Sequence, residues 1–310
     1  MCNVAVLIPT RNRPEKVAKL LTSLASSSLI PKQIVIVASG YDIREVVASF
    51  DSVLPITYVH TDVTGQTAQK KMGIGLISKT IDWCLFLDDD LLIEPSSIEV
   101  AISAASTYPN GKVAGIGFSL PPTSRSINAS FFAKTIARFF KIGYEPAGKV
   151  FKSGHASSYL QESMVVETSW LNGASMWRRE YIDSYGDDLP STKYAACEDL
   201  IFSYPLSKVD KLIYVPMAKL NFQDVELSDF NSLQVMEAAA FWRYYFVSIN
   251  VELSTWEFAF SQFGRVLFAT INTKTNRFKL FVQLINIEYR IISAVLKKTD
   301  PKVLLNQLKY

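Results

Sequence analysis

The sequence predicts an α/β protein, a mainly parallel sheet with helices on both faces followed by a C-terminal helical region. Three observations point there. Short β-branched runs alternate with segments of helical period through the first half of the chain. Each run ends in turn residues, as strands feeding helices do. From Phe230 onward the pattern gives way to three long segments rich in aromatic and aliphatic side chains.

"NVAVLIPT" and "QIVIVASG" read as buried strands. Between them, "RPEKVAKLLTSLASSS" sets Val17, Leu20, Leu21 and Leu24 at helical spacing, with Pro14 where a first helical turn tolerates it. "ITYVHTD" is a third strand and "TAQKKMGIGLISKT" a helix that Gly73 and Gly75 weaken. "DWCLFLDDD" is a fourth strand, "SSIEVAISAAST" a helix capped by Ser96 or Ser97, and "KVAGIGFSL" another strand. Ligands of such sheets lie at the carboxyl ends of the strands. Pro9-Thr10-Arg11, Ala38-Ser39-Gly40 and Asp88-Asp89-Asp90 all fall at that edge.

From Ser119 to Val166 the pattern weakens, as a substrate-covering insertion would. The C-terminal segments mix aromatic and basic residues, among them Phe241, Trp242, Arg243, Tyr244, Tyr245 and Trp256. Such a mixture suits a membrane surface, an ordinary core or an oligomer contact. The expected division is a catalytic domain over 1–228 and a helical region over 229–310.

A chain of 310 residues can bury a sizeable core. Hydrophobic residues make up 49% and the mean hydropathy is +0.15, yet no apolar stretch is long enough to cross a bilayer. The opening reads as a strand rather than a secretory leader. The expected location is the cytoplasm, peripheral on the inner membrane face if the C-terminal helices bind lipid. Cys2, Cys84 and Cys197 lie far apart without CxxC spacing, which fits reduced thiols better than disulfides or zinc. Two histidines, His60 and His155, argue against a histidine-rich metal site. A net charge of +3 is too weak for nucleic acid, though it suits an anionic ligand or membrane face.

Three adjacent carboxylates after an apolar run are unfavourable unless something positive meets them. A hard divalent cation, Mg²⁺ or Mn²⁺, prefers such oxygen ligands; an acidic turn before a helix is the alternative. A second acid pair, Glu198-Asp199, opens the helix-like "EDLIFSYPLSK", where carboxylates also simply favour a helix N-terminus. Upstream, Asn172-Gly173 reads as a turn that lets backbone approach a ligand, or equally as a plain hairpin turn. His155, the Arg178-Arg179 pair, Trp170 and Trp177 each admit a substrate contact or a plain structural role.

Together and in this order, "VLIPTRNRPEKVAKLLTSL", "GQTAQKKMGIG", "FLDDD", "LNGASMWRRE" and "YGDDLPSTKYAACEDLIFS" resemble the inverting family 2 glycosyltransferases of the GT-A fold. The resemblance spans roughly residues 3 to 225. It implies transfer of a sugar from a UDP- or dTDP-sugar to a saccharide or lipid-linked saccharide, in assembly of a surface polysaccharide. It also implies roles. Pro9, Thr10 and Arg11 border the base, and Lys70 contacts the diphosphate. Asp88 meets the ribose or a metal-bound water, Asp89 lies on the donor side, and Asp90, with Asp88, holds Mn²⁺ or Mg²⁺. Asn172 and Gly173 lie on the loop beside donor and acceptor. Asp199 is the general base, with Glu198 supporting it. Two departures stand out. Ala38-Ser39-Gly40 replace the Asp with which many relatives grip the base, leaving Ser39 as the donor-side residue there. Asn221 lies near the place of a metal-binding His. The rival readings are a sugar-1-phosphate nucleotidyltransferase, disfavoured because "IPTRNRP" lacks glycine, and a non-catalytic nucleotide-sugar-binding scaffold.

Overall fold

The computed structural model describes residues 2–109, 111–121, 131–142, 146–187, 189–190, 195–223, 233–272 and 277–308. The expected boundary between catalytic and helical regions lies outside the described residues. The strands are β1 (Val4–Arg11), β2 (Gln33–Ser39), β3 (Ile56–Thr61), β4 (Trp83–Phe86), β5 (Leu91–Ile93), β6 (Val113–Ser119), β7 (Val166–Thr168), β8 (Ser175–Arg178) and β9 (Lys211–Phe222). The helices are α1 (Pro14–Ala25), α2 (Arg44–Ala48), α3 (Gln66–Ile74), α4 (Ser97–Thr107), α5 (Phe131–Phe139), α6 (Arg179–Ile182), α7 (Glu198–Leu206), α8 (Leu233–Ile249), α9 (Thr255–Asn272), α10 (Arg277–Leu296) and α11 (Pro301–Leu305). The chain packs as two units. One comprises Met1–Pro122, Tyr159–Leu189 and Glu198–Glu226; the other comprises Thr123–Ser158, Pro190–Cys197 and Leu227–Tyr310.

The first unit holds the sheet, in the order β3-β2-β1-β4-β8-β6-β9-β5, with β7 also paired to β9. β1 runs parallel to β2 and β4, β2 parallel to β3, and β6 parallel to β9. β8 enters antiparallel between β4 and β6. Both faces are covered, which is why β1 and β2 are apolar without alternation. Val4, Val6 and Ile8 pack with Val17, Leu20, Leu21 and Leu24 of α1; Ala5 and Leu7 pack on the other face with Ile74 of α3. Each such aliphatic side chain contributes roughly 1.5–3 kcal/mol by leaving water. Gly73 is required in α3 because a Cβ there would stand 2.2 Å from Leu7 Cδ1. That close approach, rather than helix breaking, explains the glycine.

Pro14 opens α1 as expected. Neither serine caps α4 by its side chain: Ser96 makes no capping bond, and Ser97 Oγ instead donates to the Lys219 carbonyl at 2.7 Å. The three short strands β5, β7 and β8 and the long β9 were not foreseen. β9 contains Pro216, and its register against β6 shifts from Val215 to Lys219, a break that accommodates the missing N–H.

In the second unit, α8 to α10 match the three expected helices. Phe241, Trp242, Tyr244 and Tyr245 are core residues there, whereas Trp256 is exposed. Among the described residues no helix is long and apolar enough to cross a membrane.

Candidate active site

The carboxyl ends of β1 and β2 are tied together before any ligand is considered. The buried Gln69 amide on α3 donates to the carbonyls of Thr10 and Val37, both at 2.8 Å. Asn12, at φ +55°, accepts from the Tyr41 N–H at 2.7 Å. Its side chain fills the space where any Cβ on Gly40, at φ +80°, would sit. Pro9 and Thr10 are buried and Arg11 exposed; Ser39 is buried, its hydroxyl without a partner. Asp42 lies just beyond, its carboxylate accepting from the Tyr58 hydroxyl at 2.7 Å and the Arg44 N–H at 3.0 Å.

β4 ends one residue before the triplet's turn and delivers three carboxylates with three different fates. Asp89 turns inward, 5% exposed, and accepts from Thr10 Oγ1 at 2.6 Å and from Arg13 at 2.9 Å. Those two bonds tie the triplet's turn to the carboxyl end of β1 and to Arg13. The Asp88 carboxylate accepts from the neutral Gln66 amide. Asp90 stays partly exposed, 3.9 Å from Arg13. Burial, then the charges of Asp88 and Asp89, raise the Asp90 carboxyl above its ordinary value despite Arg13 and Lys16. The positive partner asked for by the sequence is therefore in part Arg13. Negative charge on Asp88 and Asp90 is still incompletely balanced, which fits a cation held by two carboxylates and completed by substrate phosphates. Among the described residues no three His, Cys, Asp or Glu side chains form a cage for a metal. Asn221 sits on β9 opposite Leu92, its amide donating to Glu94 at 3.3 Å.

The second acid pair opens α7 after Cys197, which takes the left-handed φ of +66°. Lys70, only 1% exposed, points its ammonium to Glu198 at 3.9 Å and over the Phe86 ring at 5.7 Å. Burial alone would lower the Lys70 pKa, but Tyr185, Asp88, Glu198 and Asp199 around it raise it above its ordinary value. Glu198 is pushed up to about 7, chiefly by burial, with Lys70 opposing and Asp199 and Asp88 adding to the rise. Both acid clusters thus act electrostatically on one buried lysine.

The 171–173 loop is pinned beside them. Tyr159 accepts from the Asn172 N–H at 2.7 Å, and Ser203 Oγ, which donates to the Asp199 carbonyl, accepts from the Leu171 N–H at 3.2 Å. A small pocket is lined by Lys70, Asn172, Gly173, Tyr185, Glu198 and Asp199. Both polar atoms of the Asn172 amide are buried there without partners. A larger depression of about 660 Å³ lies at the opposite, amino ends of β1 to β3, beside Asn3, Gln33 and Ile56, away from every acid discussed.

Other candidates have structural roles. Arg178 donates to the Val113 carbonyl at 2.7 Å and stacks over Trp83; Arg179 pairs with Asp183; Trp177 is core. No disulfide joins Cys2, Cys84 or Cys197. Gln69 and Arg13 were missed by sequence reasoning, although both lie inside motifs it had marked.

A family model described as "Glycosyl transferase family 2" matches residues 5–164, just over half of the chain. An uncharacterized glycosyltransferase of Haemophilus influenzae is 30% identical over 107 residues, which span 34% of this chain and 36% of that protein. Among solved structures, S. aureus TarS 1–349 in complex with UDP-GlcNAc aligns with TM-score 0.62 at 14% identity, covering 96% of this chain and 83% of that one. The mannosyltransferase PcManGT from Pyrobaculum calidifontis, in complex with GDP-Man and Mn²⁺, aligns with TM-score 0.55 at 12% identity, covering 95% and 86%. At these identities the structural likeness carries the fold alone, and that fold is GT-A. With the family model spanning most of the sheet and the acidic triplet, the chain belongs to glycosyl transferase family 2.

Proposed function

We propose that this glycosyltransferase moves a sugar from a nucleotide-diphosphate donor to a saccharide hydroxyl with inversion, using a divalent cation. The observation that carries the reading is the buried Lys70, flanked by Glu198 and acted on by Asp88 and Asp199. Asp199 accepts the proton of the acceptor hydroxyl as its oxygen bonds to the anomeric carbon. The bond to the diphosphate breaks and its electron pair leaves with that group. Attack from the face opposite the leaving group inverts the carbon. Glu198 supports Asp199, and Lys70 keeps the pair's charge balanced. Asn172 offers its unpartnered amide to substrate, with Gly173 allowing close approach. Pro9, Thr10, Arg11 and Ser39 border the nucleotide.

Asp88 and Asp90 are the residues that would hold Mn²⁺ or Mg²⁺, whose chemistry when bound is to neutralise the leaving diphosphate. The complexes of TarS with UDP-GlcNAc and of PcManGT with GDP-Man and Mn²⁺ support a nucleotide-sugar donor and a cation. A role in surface-polysaccharide assembly, with a lipid-linked acceptor at the cytoplasmic membrane face, belongs to the same reading. A thermal-shift panel of UDP-, dTDP- and GDP-sugars, with and without Mn²⁺, tests the donor site. Stabilisation by one nucleotide class that grows with Mn²⁺ is the expected result. No stabilisation by any of them would overturn the assignment.

A further inference from the structure

The helical unit contains a second polar site with no part in the chemistry above. A cavity of about 400 Å³ is walled by Ile136, Ala137, Ile142, Met236, Phe268 and Ala269. That volume lies in the range of about 300–1,000 Å³ common for small-molecule sites. Three polar side chains, His155, Arg243 and Arg265, enter this apolar enclosure.

The hydrogen bonding of His155 and Arg243 is incomplete. His155 is 4% exposed, and its Nε2 is buried without a partner. Arg243 donates through one terminal nitrogen to the Gly154 carbonyl at 2.6 Å, while its Nε is buried and unpartnered. Among the described residues no carboxylate pairs with Arg243 or Arg265. Glu288 lines the adjoining pocket with Arg265 and Gln262, but its Oε1 is buried without a partner, and burial pushes its carboxyl up to about 8. Arg265 is drawn down to about 10, first by burial and then by Arg243, and remains a cation. Burial and the two arginines hold His155 well below its ordinary value, so it is neutral.

Two neighbouring cations against apolar walls are unfavourable unless an anion joins them. A carboxylate would balance one of the two charges. A phosphate monoester, carrying about −1.5 to −2 at neutral pH, balances both and offers acceptors to several N–H groups. The aliphatic and aromatic walls then ask for an apolar substituent on that phosphate. We propose that this cavity binds an amphiphilic phosphate, its head on Arg243, Arg265 and His155 and its apolar chain along Ile136, Ala137 and Phe268.

The chain has only two histidines, so histidine-labelled protein gives an imidazole spectrum in which His155 is read against His60 as an internal control. Decyl phosphate should shift the His155 resonance, leave His60 in place and raise the pH at which His155 titrates. Inorganic phosphate should bind at least about 10-fold more weakly, and decanol should leave His155 unmoved. Arg265→Gln should weaken decyl phosphate binding by about 10-fold or more; His155→Gln is the second variant should the first fail to fold. Flotation with phosphatidylcholine vesicles, with and without phosphatidic acid, separates the sources. Recruitment that depends on phosphatidic acid and Arg265 assigns the site to a bilayer headgroup; binding of dispersed decyl phosphate alone assigns it to a soluble amphiphile. An unchanged His155 signal at saturating decyl phosphate, or an equal response to decanol, overturns the proposal.

Discussion

The Lys70 ammonium lies 3.9 Å from a Glu198 carboxylate oxygen, with the lysine side chain 2% and the glutamate side chain 13% exposed. These residues stand 128 positions apart in sequence and belong to α3 and α7. Their approach brings the second acid pair within electrostatic reach of Asp88, which also acts on Lys70.

Removing one partner of a buried ion pair leaves the other charge uncompensated and costs about 3 kcal/mol or more. Lys70→Met should therefore lower unfolding stability by about that amount in urea titration. The double variant Lys70→Met/Glu198→Gln should recover most of the loss. A Lys70→Met protein as stable as the parent would show that the lysine is not the counter-ion of the acids.

Glu198 has a folded value of about 7 against an ordinary 4.5. A raised carboxyl binds its proton more tightly when folded, so its stabilising contribution is present below pH 4.5 and is lost as pH rises through 7. The melting temperature should fall across that window, and Glu198→Gln should flatten the fall. Turnover should run the other way, rising through about pH 7 as Glu198 ionises beside the proposed base. Melting and rate profiles identical in parent and variant would contradict this.

The triplet should separate by function. Asp89 holds Thr10 and Arg13, so Asp89→Asn should cost about 1.5–3 kcal/mol of stability through lost charge-assisted bonds. Asp90 is destabilised by burial and by its neighbours' charges. Asp90→Asn should leave the melting temperature unchanged or higher, while turnover at saturating Mn²⁺ falls about 100-fold, equivalent to about 2.7 kcal/mol of barrier. Calorimetry and steady-state rates on both variants check the split.

What the sequence made legible follows from local physics. β1, β2 and α1 were readable because a strand covered on both faces is a continuous apolar run and a helix against it repeats at 3.6 residues. β5 was not, because Leu91–Ile93 is three residues long and becomes a strand only by pairing with Leu220–Phe222. β9 was hidden by Pro216, which a strand tolerates at an irregularity in register. At the site, the acids stood out as clustered charge, and Lys70 only through the resemblance to the family. Their partners did not: Arg13 meets Asp89 only because β1 and β4 are neighbours, and Gln69 bridges two carbonyls that are adjacent only in the sheet. In sequence His155 admits a structural role as well as a substrate contact, and only the packing of the helical unit leaves its Nε2 without a partner.

The most direct measurement is transfer and donor binding by Asp199→Asn, assayed side by side with the parent. The expected result is donor affinity within a few-fold of the parent with transfer reduced by about 100-fold or more. Transfer at the parental rate by the Asp199→Asn variant, or loss of donor binding in step with activity, would contradict a proton-accepting role for this carboxylate.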